Sequence, residues 1–270
     1  MTLIHQLLAF LKRDYLLAGS SRLMFVWQVM SVTFAAPMLY YLGRLIQPAT
    51  SPHLAAFGGD YFAFVILGVA TFGFLTAVMG AAAGTLRQEQ LIGTLEPLLV
   101  APVSYLTLAL GGTLWTTLVA GGQALIYVLL AARVFGADFG HGALGPTAVA
   151  LVLSTGIYAA LGVMAAAFVL VFKHADPLTT VFAAFSSLLG GVFYPTTVLP
   201  PALHSLAQFV PLTYTLRAIR LAVLEGYSFA ALWQELLILG LFAGLLIPLA
   251  GLIFRWAINN AKRAGTLGAY

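Results

Sequence analysis

The chain contains no cysteine among its 270 residues. That removes disulfides, thiolate metal sites and a cysteine nucleophile together. Charge is nearly as scarce. Only 7% of residues are charged, against about 25% in a soluble domain. Lysine occurs three times, at Lys12, Lys173 and Lys262, and none follows a glycine. A phosphate-binding loop of the G-x-x-x-x-G-K-[S/T] type therefore cannot be written anywhere in the chain. The chain is not an enzyme by this reading, and any ATP hydrolysis belongs to another polypeptide. The five histidines (His5, His53, His141, His174, His204) have no H-x-x-x-H or H-E-x-x-H spacing, so they read as polar loop residues and no metal site is expected. No basic run with interleaved aromatics lies in a soluble segment, which excludes a nucleic-acid partner.

What remains is apolar: 61% hydrophobic residues and a mean hydropathy of +1.01. Such a chain cannot cover itself with polar surface. It reads as one all-α integral membrane domain over residues 1–270. A bilayer crossing takes about 20 apolar residues. Six runs qualify: Leu23–Ile46, Tyr61–Leu86, Tyr105–Phe135, Leu144–Phe172, Leu178–Tyr194 and Leu232–Phe254. The first residues are not a secretory signal, because LLAFL precedes Lys12 and Arg13 rather than following them. Leu3, Ile4, Leu7, Leu8, Leu11 and Tyr15 fall on one helical face, so Thr2–Leu17, within residues 1–20, is expected to lie in the interface as an amphipathic helix. The other reading is the ragged start of the first span.

Lys and Arg near span ends set direction. With both termini cytoplasmic, the inner side collects Lys12, Arg13, Arg22, Arg87, Lys173, Arg255, Lys262 and Arg263, and the outer side Arg44, Arg133, Arg217 and Arg220. This predicts a multi-pass protein of a plasma membrane or bacterial inner membrane, its basic inner face beside anionic lipid. Two G-x-x-x-G patterns, Gly80–Gly84 and Gly240–Gly244, predict close helix packing within the chain or between two copies.

Three stretches break the apolar pattern. The first, RQEQLIGTLEPLLVAP (Arg87–Pro102), puts Arg87, Glu89 and Glu96 between two apolar runs. Helix continues to Ile92, Gly93 ends it, and Thr94 caps a short new helix with Glu96 and Pro97 in its first turn. Glu89 and Glu96 are expected to face the cytoplasm. The alternative is an ordinary solvated loop. The second stretch runs from Gly190 through Tyr194, Pro195 and Pro200 to Pro211 and Tyr214. It is apolar yet repeatedly broken by proline. Residues 195–215 are expected to form a re-entrant helix hairpin at the outer face, since irregular backbone at membrane depth must be packed in protein or line water. An exposed outer loop is the alternative. The third is Arg217-Ala-Ile-Arg220. These arginines are expected to share a helix face, anchoring at outer headgroups or pairing with Glu225 or Glu235. An anionic-substrate role is the further alternative.

The stretch E-Q-L-I-G-T-L-E-P-L-L-V-A-P (Glu89–Pro102) resembles the E-x-x-x-G-T-L-E-x-L-x-x-x-P segment of ABC-2 type permeases. G-V-F-Y-P-x-x-x-L-P (Gly191–Pro200) and V-P-L-T-Y-x-L-R-A-I-R (Val210–Arg220) resemble that family's outer re-entrant region. Pro97 after the motif glutamate is a small departure. The resemblance spans essentially the whole chain. It implies two permease chains, here a homodimer, each on one ABC ATPase subunit, with ATP and Mg bound by that partner and no cofactor on this chain. It also implies ATPase coupling through the loop at 87–102, with Glu89, Gly93, Thr94, Leu95 and Glu96 joined by Arg87.

The expected function is outward transport of a hydrophobic or amphipathic molecule, drug-like or lipid-like; a lipid-linked glycan is the alternative cargo. A path at the two-fold axis would be lined by Phe64, Gly68, Thr71, Phe72, Leu75 and Thr76 of the second span, with Phe182, Phe185, Ser186 and Leu189 of the fifth. Helix packing or lipid contact is the plainer role of each. An ion-gradient-driven secondary transporter is the alternative of another class; such proteins usually hold ionisable groups in mid-span and broken helices in both halves, whereas here no Asp, Glu, Lys or His lies mid-span and the broken segment occurs once. A membrane enzyme would need carboxylates grouped at one face, and Asp60, Asp138, Glu225 and Glu235 are scattered in sequence.

Overall fold

A computed structural model describes residues 11–16, 22–45, 54, 57–93, 105–140, 142–172 and 177–263. All regular structure in them is helical. The helices are α1 (Arg22–Leu45), α2 (Tyr61–Ile92), α3 (Tyr105–Arg133), α4 (Leu144–Phe172), α5 (Pro177–Leu189), α6 (Pro201–Ala207), α7 (Pro211–Leu224) and α8 (Trp233–Arg263), with a 3-10 turn at Thr196–Val198. Residues 11–16 are also helical.

Composition decides which helices are long. α2, α3 and α4 are apolar on every side, which suits helices enclosed by protein and lipid. Among the described residues, four helices are long and apolar enough to cross a membrane: α2, α3, α4 and α8. The 13 residues of α5 reach only about 20 Å, short of a hydrocarbon core of about 30 Å. The expected fifth run to Tyr194 is cut at Leu189, because Gly190 and Gly191 turn the chain. α8, expected to stop at Phe254, continues to Arg263. α2 runs unbroken through 32 residues, about 48 Å. Its last turns therefore project beyond the hydrocarbon. Gly93 ends it with φ +79°, a conformation costly for residues with a side chain.

α2 and α4 form the centre. α3 packs on α2, α8 on α4, and α7 lies across α4, α2 and α8. The bundle has two ends. Near Glu89, Ala82, Ala83 and Leu86 of α2 meet Ala166, Val169 and Leu170 of α4 and Phe254, Ala257 and Ile258 of α8. Small residues bring these backbones close, where dispersion rather than hydrophobic transfer holds membrane helices together. Near Tyr61, Phe62, Ala63 and Ile66 pack with Ala36 of α1 and Ala131 of α3. Between them, Leu75, Met79, Ile157, Tyr158, Leu212, Leu216 and Leu239 form the largest apolar cluster.

The closest helix approach is not at either G-x-x-x-G pattern. A Cβ built on Gly80, Gly84, Gly240 or Gly244 meets nothing within 4 Å among the described residues. At Gly162 it would run into the Met79 carbonyl oxygen. That is where α4 crosses α2.

Candidate functional site

At the Glu89 end, the continuous helix places Arg87 half-buried and Gly93 exposed. Glu89 was expected to be exposed, but its side chain is only 14% accessible and accepts from Arg13 Nη1 at 2.9 Å. Arg13 also donates to Asp14 at 3.0 Å. Tyr15, two residues on, stacks edge-on with Trp115 of α3 at 5.6 Å. The helix at 11–16 is thus fastened across the ends of α2 and α3. No spacing rule joins residues so far apart in sequence, so this pairing was not legible. Thr94, Leu95 and Glu96 lie outside the described residues, as does most of the expected interface helix.

At the Tyr61 end, the chain between α5 and α7 is held by side-chain bonds to its own backbone. The Tyr194 hydroxyl donates to the Leu188 carbonyl. Pro195 is buried, and His204 Nδ1 lies 3.0 Å from the Thr196 carbonyl oxygen. Pro200 precedes α6, whose first residue is Pro201, and Pro211 opens α7; both first positions tolerate a missing N–H. Thr213 Oγ1 donates to the Ala207 carbonyl at 2.7 Å, satisfying the end of α6. Tyr214 is half-buried, its ring 6.3 Å from that of Phe242 in α8.

The two arginines of α7 part company. Arg217, 61% accessible, pairs with Glu235 of α8 at 3.1 Å. Arg220 is buried, and among the described residues it pairs with no carboxylate. It is 3% exposed and donates to three carbonyls: Phe64 at 3.1 Å, Gly191 at 2.8 Å and Val192 at 2.8 Å. Its guanidinium carbon sits 3.4 Å from the centroid of the Phe64 ring. The shared face expected for Arg217 and Arg220 therefore divides between a rim and an interior.

The expected path residues separate in the same way. Phe64, Gly68, Thr71 and Leu75 are buried inside the chain, while Phe72 and Thr76 are half-buried. Thr76 Oγ1 bonds back to the Phe72 carbonyl at 2.8 Å, as hydroxyls in membrane helices commonly do. On α5, Phe182 packs edge-on to Tyr158 at 6.2 Å, and Ser186 and Leu189 are buried. Phe72, Leu75, Phe182 and Leu189 join one apolar cluster. Phe185 turns the other way and is 59% exposed. Tyr158 and Ser186 bring two hydroxyls side by side into the buried interior.

Three carboxylates that looked unrelated in sequence also converge. Asp60, Asp138 and Glu225 line a pocket of about 270 Å³ with Phe57, Gly58, Ala63 and Leu224. Two have local work: Asp60 accepts from the Phe62 N–H at 2.8 Å at the start of α2, and Asp138 from the Gly140 N–H at 2.7 Å. Among the described residues no group of three His, Cys, Asp or Glu side chains is arranged to hold a metal.

A helical bundle with several bilayer-length apolar helices around a buried central helix is a multi-pass membrane protein. Residues 5–224 match the model of the ABC-2 type transporter family, and the chain belongs to that family. It is accordingly a permease subunit of an ABC transporter, a transport rather than a catalytic family. A comparison with individual curated proteins finds none that matches.

Proposed function

We propose that the chain is the membrane subunit of an ATP-driven exporter. It moves a hydrophobic or amphipathic small molecule outward as a homodimer. A separate ATP-binding subunit, in two copies, supplies the energy. ATP and Mg bind that partner. Both termini face the cytoplasm of a plasma or bacterial inner membrane. The observation that carries this reading is α2: one unbroken helix from Tyr61 to Ile92, broken at Gly93 where the Thr94–Glu96 motif begins. A push on residues 87–102 has a rigid lever to act on, and its far end lies against the broken segment at 190–200. The apolar surroundings of Phe72, Phe182 and Leu189, with the exposed Phe185 beside them, support a greasy cargo over a glycan.

The test is co-purification. The tagged chain, taken from its native membrane in mild detergent, should bring a stoichiometric ATPase subunit. Glu96→Arg should lose it, because it reverses the charge that the proposed coupling motif offers to a basic contact on the ATPase. A chain that comes alone in repeated preparations refutes the exporter reading.

A further inference from the structure

The loop after α5 is seated on α2 by one residue of α7. Arg220 sends Nε to the Phe64 carbonyl and Nη1 and Nη2 to the Gly191 and Val192 carbonyls, all within 3.1 Å. One turn beyond Phe64, Gly68 leaves room for this contact. A Cβ there would overlap both the Val192 carbonyl oxygen and Arg220 Nη2. At the start of the helix, the Tyr61 hydroxyl donates to the Phe193 carbonyl at 3.1 Å. The first two turns of α2 therefore touch Val192 and Phe193 directly, through Gly68 and Tyr61, and Arg220 ties Gly191 to the Phe64 carbonyl.

A buried cation without a carboxylate is expensive in a membrane protein. An apolar side chain of similar length would fill the same space but leave the loop carbonyls unpaired. What the guanidinium adds is a planar fork that binds two segments at once, which an ammonium cannot reproduce. We infer that Arg220 is a positioning residue that locks loop 190–194 to the Tyr61 end of α2, so that helix and loop move as one body. On the permease reading above, a displacement begun at residues 87–93 is then delivered to the loop at the opposite end. Without the lock, α2 would move past a loop left behind.

The absence of cysteine makes single-site labelling clean. A nitroxide at Phe193→Cys, an exposed side chain beside the locked carbonyls, reports loop motion by electron paramagnetic resonance in nanodiscs. A nitroxide at Leu245→Cys, exposed on α8, reports the bundle. The Phe193 label should be slow in the otherwise native chain. It should loosen several-fold in Arg220→Met and only partly in Arg220→Lys. It should also loosen in Gly68→Ala, where the arginine is retained but the contact is not, with the Leu245 label unchanged. If Arg220→Met loosens both labels, Gly68→Ala alone decides. A Phe193 label that stays slow in Gly68→Ala overturns the lock.

With the co-purified ATPase bound, ATP should shift the Phe193 spectrum in the native background and not in Gly68→Ala, while hydrolysis continues. An ATP response surviving in Gly68→Ala overturns the delivery step. A chain with no ATPase partner removes the permease reading but leaves the labelling result standing, so the two failures are distinct.

Discussion

Arg220 and Gly162 are two residues whose chemistry is set by what they touch. Arg220→Met removes the donor from two turn carbonyls, Gly191 and Val192, inside a water-poor bundle. Leaving each acceptor unpaired costs about 1–3 kcal/mol, so the variant should unfold at distinctly lower temperature in detergent, with Arg220→Lys between it and the native chain. Gly162→Ala forces a methyl toward the Met79 carbonyl oxygen. Overpacking of that kind costs about 1–3 kcal/mol. Gly73→Ala is the control, because its Cβ meets nothing within 4 Å, and alanine is the better helix former by up to about 1 kcal/mol. Thermal unfolding should therefore fall for Gly162→Ala and hold or rise for Gly73→Ala. Equal losses at both would show that helix crossing is not what Gly162 serves.

Elements differ in how far their sequence could be read. Leu144–Phe172 was legible to the residue, because an apolar run bounded by Gly142 and Lys173 leaves little choice of ends. α2 was legible through Gly93, since a positive φ suits glycine. α8 was not: its apolar run stops at Phe254 but its helix does not. Hydropathy marks where lipid ends, and backbone hydrogen bonding continues through Arg255, Asn259 and Asn260 into water. The pairing of α4 with α7 was equally hidden, because Ser154 and Thr215 read as ordinary small polar residues. Their hydroxyls bond at 2.7 Å in the interior. Such interhelical bonds average only about 0.6 kcal/mol in a membrane, and Thr215 keeps its bond to the Pro211 carbonyl. Ser154→Ala should then cost far less than Arg220→Met in the same unfolding assay. A comparable loss would mean that the hydroxyl pair, not the arginine, holds α7 in place.

For the whole molecule, the three acidic residues Asp60, Asp138 and Glu225 meet only because α2, α3 and α7 end together, a fact of tertiary structure that spacing cannot carry. The same gathering of ends sorts the basic residues. Arg13, Arg87, Arg255 and Arg263 belong to the Glu89 end, while Arg44, Arg133, Arg217 and Arg220 belong to the Tyr61 end. Of the second set, Arg217 pairs with Glu235 as Arg13 of the first pairs with Glu89, while Arg220 is buried and lies away from the surface charges that orient a chain. The proposed topology keeps positive residues cytoplasmic and so has the Glu89 end inside. Two single cysteines test this. Tyr227→Cys sits in the exposed loop after α7, and Ile92→Cys on the exposed last turn of α2. A membrane-impermeant maleimide applied to intact cells should label Tyr227→Cys at once and Ile92→Cys only after permeabilisation. The reverse order would put the 87–102 segment outside, beyond the reach of any cytoplasmic ATPase, and would end the exporter reading whatever else co-purified.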